Sequence, residues 1–204
     1  MEQSTIDNVV TNSKKYGDVL VINDGSTDNT EINAKKSGAI VISNENNIGY
    51  DLSLHKGIEY AIENKYIYVC TIDADNEFKI DNLSHLFSAL ESGLDLVVGT
   101  RPENKINRIL EKKMISLCKR KYAIEDIFCG LKGYKVDKLK NINFKNSKKI
   151  DFIGTFFALE LLKTNCSALN INVEMNDLRE NSRFYGNFSA NLKVFLLYLH
   201  ILFN

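Results

Sequence analysis

The feature that most constrains this chain is a set of four short apolar runs, rich in β-branched residues, each ending in a polar loop. They are Asp18–Asn23 (DVLVIN), Ala39–Ser43 (AIVIS), Tyr66–Ile72 (YIYVCTI) and Leu94–Gly99 (LDLVVG). A continuous apolar run of this length has no wet face, so it suits a parallel strand covered by helices on both sides. The intervening segments supply those helices. Leu54, Ile58, Ala61 and Ile62 form a stripe at i, i+4, i+7 and i+8. Leu83, Leu86, Phe87 and Leu90 keep helical spacing after Asp81, and Asp28 with Glu31 has the spacing of a capping box. Strand–helix–strand repetition gives right-handed crossovers, and hence an α/β, doubly wound, mostly parallel, Rossmann-like sheet. Ligands of such sheets bind beyond the carboxyl ends of the strands. The loops after Asn23, Ser43, Ile72 and Gly99 are therefore expected to share one face.

The 204 residues suit one such domain over residues 1–187, followed by a C-terminal helix over residues 188–204. In that helix Phe188, Leu192, Phe195, Leu196 and Leu199 make one stripe, and Val194, Leu197, Tyr198, Ile201 and Leu202 make nearly the whole surface apolar. It is expected to pack on the domain, with peripheral attachment at the inner face of a membrane as the alternative. Lys+Arg and Asp+Glu balance at 26 each, so no global field favours nucleic acid. The basic run Lys112, Lys113, Lys119, Arg120 and Lys121 reads as a solvated helix face. The four cysteines form no CxxC pair, which argues against structural zinc and fits a reducing compartment. With no signal-like N-terminus and no apolar run near the ~20 residues of a membrane span, the expected location is cytoplasmic.

Three loops carry candidate chemistry. After the first run, Asn23-Asp24-Gly25-Ser26-Thr27-Asp28 reads either as a turn with a helix cap or as a ligand loop. In the second reading Asp24 accepts a hydrogen bond from a nucleobase, and Gly25 lets backbone approach closely. After the third run comes Thr71-Ile72-Asp73-Ala74-Asp75-Asn76-Glu77. Two carboxylates leaving a buried strand repel each other and lose hydration unless a cation sits between them. Hard oxygen donors suit Mg²⁺ or Mn²⁺, which keep positions open for a diphosphate. The rival reading is an exposed turn, or a calcium loop indifferent to nucleotide. After the fourth run, the Arg101 guanidinium has the shape to hold a phosphate at the same edge.

Together VLVINDGSTDNT, NNIGYDLSLHKGIEYA, TIDADNEF, GTR and DIFCGLKGY follow in an order that resembles family 2 glycosyltransferases of the GT-A fold. The set is most similar to the branch of dolichyl- and polyprenyl-phosphate sugar synthases, and the resemblance runs from about Glu2 to about Lys193. It implies that Asp24, Gly25 and Ser26 meet the nucleotide, with Asn47, Ile48 and Gly49 near the nucleoside. The family often carries a second glycine where Asp51 or its neighbours stand. Asp75 would be the direct metal ligand, Asp73 would address ribose and metal, and Glu77 stands where the branch often has a glutamine that also touches the metal. Arg101 matches the family's Gly-Ser-Arg arginine, Asp126 an acidic residue near the acceptor, and Arg183 a loop closing over phosphates. Arg108 and Lys132 read as surface residues. The implied reaction is a single in-line displacement with inversion, from UDP- or GDP-sugar to a polyprenyl phosphate or glycan hydroxyl in cell-envelope glycan synthesis. Mg²⁺ or Mn²⁺ is the implied cofactor, and Asp126 the base if the acceptor is a hydroxyl.

One departure stands out. The family begins with a buried strand and a Pro-Tyr-Asn-Glu-like loop, whereas this chain begins Met1-Glu2-Gln3-Ser4-Thr5-Ile6, where only Glu2 matches the end of that loop. The missing strand would lie between the strands ending at Asn23 and Ile72. A late start, an inactive or merely nucleotide-binding remnant, and a sheet whose neighbours close the gap are the explanations, the first two favoured. A nucleotidyltransferase is the rival enzyme class, but the Gly-rich basic loop it needs after its first strand is not found.

Overall fold

The computed structural model describes residues 1–106, 109–144, 152–176 and 188–203. In order, the chain forms α1 (Ile6–Ser13), β1 (Leu20–Asp24), α2 (Thr30–Lys36), β2 (Ile40–Asn44), α3 (Tyr50–Glu63), β3 (Tyr68–Thr71) and α4 (Asn82–Glu91). Then follow β4 (Leu96–Thr100), α5 (Ile109–Tyr122), β5 (Lys132–Lys135), α6 (Val136–Leu139), α7 (Phe156–Leu162), β6 (Ala168–Asn172) and α8 (Phe188–Phe203). All four apolar runs are strands, displaced by one or two residues from the edges their composition suggests. Two strands carry no such signal. β5 is the polar-looking Lys-Gly-Tyr-Lys, and β6 is Ala-Leu-Asn-Ile-Asn.

The α2 cap differs from the capping-box expectation. Its helix begins at Thr30, so Glu31 is too early for the box and instead bonds Lys35 Nζ (2.5 Å) and Asn23 Nδ2 (3.2 Å). Asp28 still serves the helix start, accepting from the Thr30 N–H at 3.1 Å and from its hydroxyl at 2.5 Å.

The strands divide into two sheets. β1 and β2 pair in parallel, from Leu20 opposite Ile40 to Asp24 opposite Asn44. The other sheet has the order β3-β5-β4-β6, with β4 and β6 parallel and β5 antiparallel to both its neighbours. β3 and β4 therefore run the same way, with the reversed strand between them. Among the described residues β1 and β3 do not pair, and each keeps one edge without a strand.

β4 organises the core. Leu96 and Val98 enter one apolar cluster with Met114, Phe156, Phe157 and Leu197, while Val97 enters another with Leu86, Leu90 and Leu131. This is the period of two expected for a strand buried on both faces. A third, smaller cluster of Ile6, Val10 and Ala34, with Val19, Val21, Val41 and Ala74 against it, ties α1 and α2 to the first sheet. The inner side of α8, with Val194, Leu197 and Ile201, belongs to the same cluster as Leu96, so this helix packs on the domain.

Candidate functional site

Asp24 ends β1 and is spent first on its own protein. Its Oδ1 accepts from Asn44 Nδ2 (2.9 Å) and the Ile48 N–H (2.8 Å), and its Oδ2 from the Gly49 N–H (2.9 Å). Burial works against its charge, but these bonds outweigh it and hold the carboxyl below the usual aspartate range. Gly25 has φ +69°, and a Cβ there would stand 2.7 Å from the Asn47 backbone nitrogen. The close approach that requires glycine is thus between two loops of the chain. Ser26 is held by its N–H to Asn23 Oδ1 at 3.3 Å. Asp24, Gly25, Ser26, Asn47 and Gly49 are brought together, with Gly49 at φ +95° immediately before α3.

The carboxylates after β3 lie at the carboxyl edge of the second sheet. Asp73 Oδ1 accepts from the Tyr50 hydroxyl at 3.1 Å. On its other side Asp73 nests against Gly130, where a Cβ would lie 2.1 Å from Oδ2. Burial, followed by the charge of Asp75, raises the Asp73 carboxyl above its ordinary value. That is the expected response of two acids sharing a site that a cation would relieve. Asp75 Oδ1 accepts from the Glu77 N–H at 3.1 Å, and the Glu77 carbonyl accepts from the Asn176 N–H at 2.7 Å. Among the described residues no three His, Cys, Asp or Glu side chains converge as a metal-binding group. The Glu77 backbone is thus committed to the turn and to the 175–176 segment.

Arg101 and Asp126 form one unit. Arg101 Nε and Nη2 reach the two Asp126 oxygens at 2.7 and 2.9 Å, and Nη2 also reaches Glu111 Oε1 at 2.7 Å. The Arg101 N–H adds a bond to Asp126 Oδ2 at 3.2 Å. Burial opposes the charge on Arg101, but the bonds and charge of Asp126, and then Glu111, push its pKa further up. Asp126 is fully buried. Both Asp126 oxygens accept from the Arg101 guanidinium, so in this arrangement the carboxylate orients that arginine. Thr100 Oγ1, one residue earlier, is buried without a hydrogen-bond partner among the described residues.

Lys132 also departs from expectation. It is 2% exposed, its Nζ donating to the carbonyls of Cys129 and Gly154. Burial lowers its pKa, while the charges of Asp126 and Asp73 act to raise it. It thus puts a buried cation among the acids of the site. β5 lies between β3 and β4, so its residues are buried on both faces, Lys132 among them, although no apolar pattern marks the strand.

Two residues escaped sequence reasoning. Tyr50 packs its ring on Gly154 and bonds Asp73. Asp51 accepts three backbone N–H groups, from Phe152 (2.8 Å), Ile153 (3.1 Å) and Gly154 (2.7 Å), where Ile153 and Gly154 have φ of +52° and +72°. The only signal was their position directly after Gly49. Together they clamp the loop before α7 to the α3 start and so to Asp73. Arg183 and Arg108 lie outside the described residues.

The profile described as glycosyl transferase family 2 matches residues 3–161. The uncharacterized protein MJ0544 of Methanocaldococcus jannaschii is 30% identical over 148 residues, which make up 65% of this chain and 63% of that protein. The chain thus spans less than two thirds of the length of this relative. Among solved structures, glucosyl-3-phosphoglycerate synthase from Mycobacterium tuberculosis, in complex with Mn²⁺ and UDP-glucose, superposes with a TM-score of 0.74 at 16% identity, over 98% of this chain and 75% of that one. A structure described as a mycobacterial protein gives 0.76 at 18% identity, over 98% of this chain and 71% of that one. At these identities the likeness is one of fold.

Proposed function

Because the chain belongs to glycosyl transferase family 2, we propose that it takes part in moving a sugar from a nucleoside diphosphate to an acceptor, with a divalent metal at Asp73 and Asp75. The observation that carries this reading is Asp73, half-buried beside Asp75 and held between the Tyr50 hydroxyl and Gly130, its carboxyl raised by desolvation and by its neighbour's charge. Hard oxygen donors of this kind fit Mg²⁺ or Mn²⁺, whose other positions a diphosphate and water would fill. When bound, the metal neutralises charge that builds on the departing diphosphate. Tyr50 and Gly130 hold Asp73 in place from two sides, and Asp24 braces the loop of Asn47–Gly49 expected to face the nucleoside. Arg101, held rigid by Asp126 and Glu111, supplies fixed positive charge at the same sheet edge.

An acceptor that is already ionised, such as a polyprenyl phosphate, agrees with an Asp126 occupied by Arg101, since it needs no base. A glycan hydroxyl would need another base. The donor's nucleotide is UDP or GDP, and α8 is the candidate for peripheral membrane contact. The β1 and β3 edges that no described strand covers support a second reading, in which the chain binds nucleotide without turnover.

Calorimetric titration with UDP and GDP, each with and without Mn²⁺, tests both. Metal-dependent binding that Asp75→Ala abolishes is the expected result, and turnover of the matching nucleotide sugar then separates enzyme from binding module. Metal-independent binding, or an Asp75→Ala variant that still couples metal to nucleotide, removes the metal assignment.

A further inference from the structure

α8 is apolar on two opposite sides. Val194, Leu197 and Ile201 turn inward and are buried, whereas Leu192, Phe195, Leu196 and Leu202 remain 48, 43, 47 and 47% exposed. At 3.6 residues per turn the two sets lie across the helix axis from each other. A helix resting on a soluble domain needs only one such stripe, and the outer one packs on no core cluster among the described residues.

The neighbouring helix supplies the complementary half. α5 packs beside α8, and Lys121 Nζ donates to the Ile201 carbonyl at 3.0 Å. Both helices rest on one core cluster through Met114, Leu117, Val194 and Leu197, so their outer faces look out side by side. The outer face of α5 exposes Lys112, Lys113, Lys119 and Arg120 around the 74% exposed Ile109. Of the nearby acids, Glu111 is turned inward to Arg101, and Glu125 meets Lys119 at 3.2 Å. α8 itself contains no acidic residue.

We infer that the paired outer faces of α5 and α8 dock on an anionic phospholipid surface, the α8 stripe entering the boundary of headgroups and acyl chains while the α5 cations meet lipid phosphates. The cations decide between occupants. A second copy of the chain would satisfy the apolar stripe but bring two cationic α5 faces into the same contact region, whereas an anionic bilayer complements both stripes. The inference deepens the proposed function, on which it rests for its purpose. It would hold the sugar-transfer site at the surface where a lipid-phosphate acceptor resides.

The test is co-sedimentation of the full chain with phosphatidylcholine vesicles, with and without phosphatidylglycerol, across a salt series and with no nucleotide present. Binding confined to the anionic vesicles and weakening as salt rises is expected. Phe195→Ser with Leu196→Ser, and separately Lys112→Glu with Lys113→Glu, should each lower vesicle affinity about tenfold or more with the circular dichroism unchanged. No sedimentation with anionic vesicles overturns the inference, as does binding that neither double variant weakens. A dimer in light scattering that Phe195→Ser with Leu196→Ser dissolves, in a chain indifferent to vesicles, overturns it in favour of a second copy. Loss of nucleotide binding would leave these outcomes untouched, so the two proposals fail separately.

Discussion

β1 and β4 are almost the same strand in sequence, Leu-Val-Ile-Asn-Asp against Leu-Val-Val-Gly-Thr, yet they live in different surroundings. Leu96, Val97, Val98 and Gly99 are all buried, while Leu20, Val21 and Ile22 are only partly so. β4 has a strand on each side, β5 and β6, whereas β1 has β2 on one side only. A strand's burial is thus completed by its neighbours, and equal hydrophobicity does not ensure equal protection. The same contrast runs through the site. Asp126, on the closed side, is sealed against Arg101, whereas Asp24, on the open side, is braced by a loop and stays partly exposed.

The comparison is broken most forcefully at the acids. Asp126→Ala strands the Arg101 guanidinium beside Glu111 alone and is expected to lower stability by about 3–5 kcal/mol in urea unfolding. Asp24→Ala removes bonds from a partly solvated group and should cost about 1–2 kcal/mol. Equal losses would mean that the two halves are equally sealed. One substitution made on both strands sharpens the point. Val97→Ala should cost about 2–3 kcal/mol through lost burial and the cavity left behind, and Val21→Ala about 1 kcal/mol, both read from urea midpoints at constant slope.

The smallest effect is on acid stability. Asp24 and Asp95 both have carboxyls held below the usual range, Asp24 by the bonds that outweigh its burial and Asp95, against its own burial, by the Ser167 N–H and hydroxyl and then Lys138. A depressed folded pKa contributes stability that is present above the unfolded value of about 4 and is lost as pH falls through the folded value. The contribution of these two groups should therefore stay level from neutral pH down to about pH 4 and then fall, while Asp73, with its raised carboxyl, contributes in the opposite sense. Asp24→Asn should remove part of that fall, and a profile identical to the parent's would count against the Asp24 bonds.

The elements legible in the sequence were those whose signal is local. The four apolar runs, the α3 and α4 stripes, and the acids and glycines of the loops after them can be read without knowing any partner. β5 and β6 could not, because Lys132–Lys135 and Ala168–Asn172 gain strand character from the strands beside them rather than from their own hydrophobicity. Asp28 was readable as serving a helix start, but the one-residue shift of α2 was not.

What the sequence by itself determined is the order of the four apolar strands and of the helices α3 and α4 beside them, the family, and the placing of Asp24, Asp73, Asp75 and Arg101 after those strands, since these follow from periodicity and loop chemistry along the chain. Only the tertiary structure decided that, among the described residues, β1 and β3 do not pair with each other and that Asp126 serves Arg101. It alone buried Lys132, and brought Tyr50 and Asp51 to the loop of residues 152–154. Each of these depends on residues far apart in the chain competing for one space, and burial, which sets their charge and bonding, is a property of that packing and of no single segment.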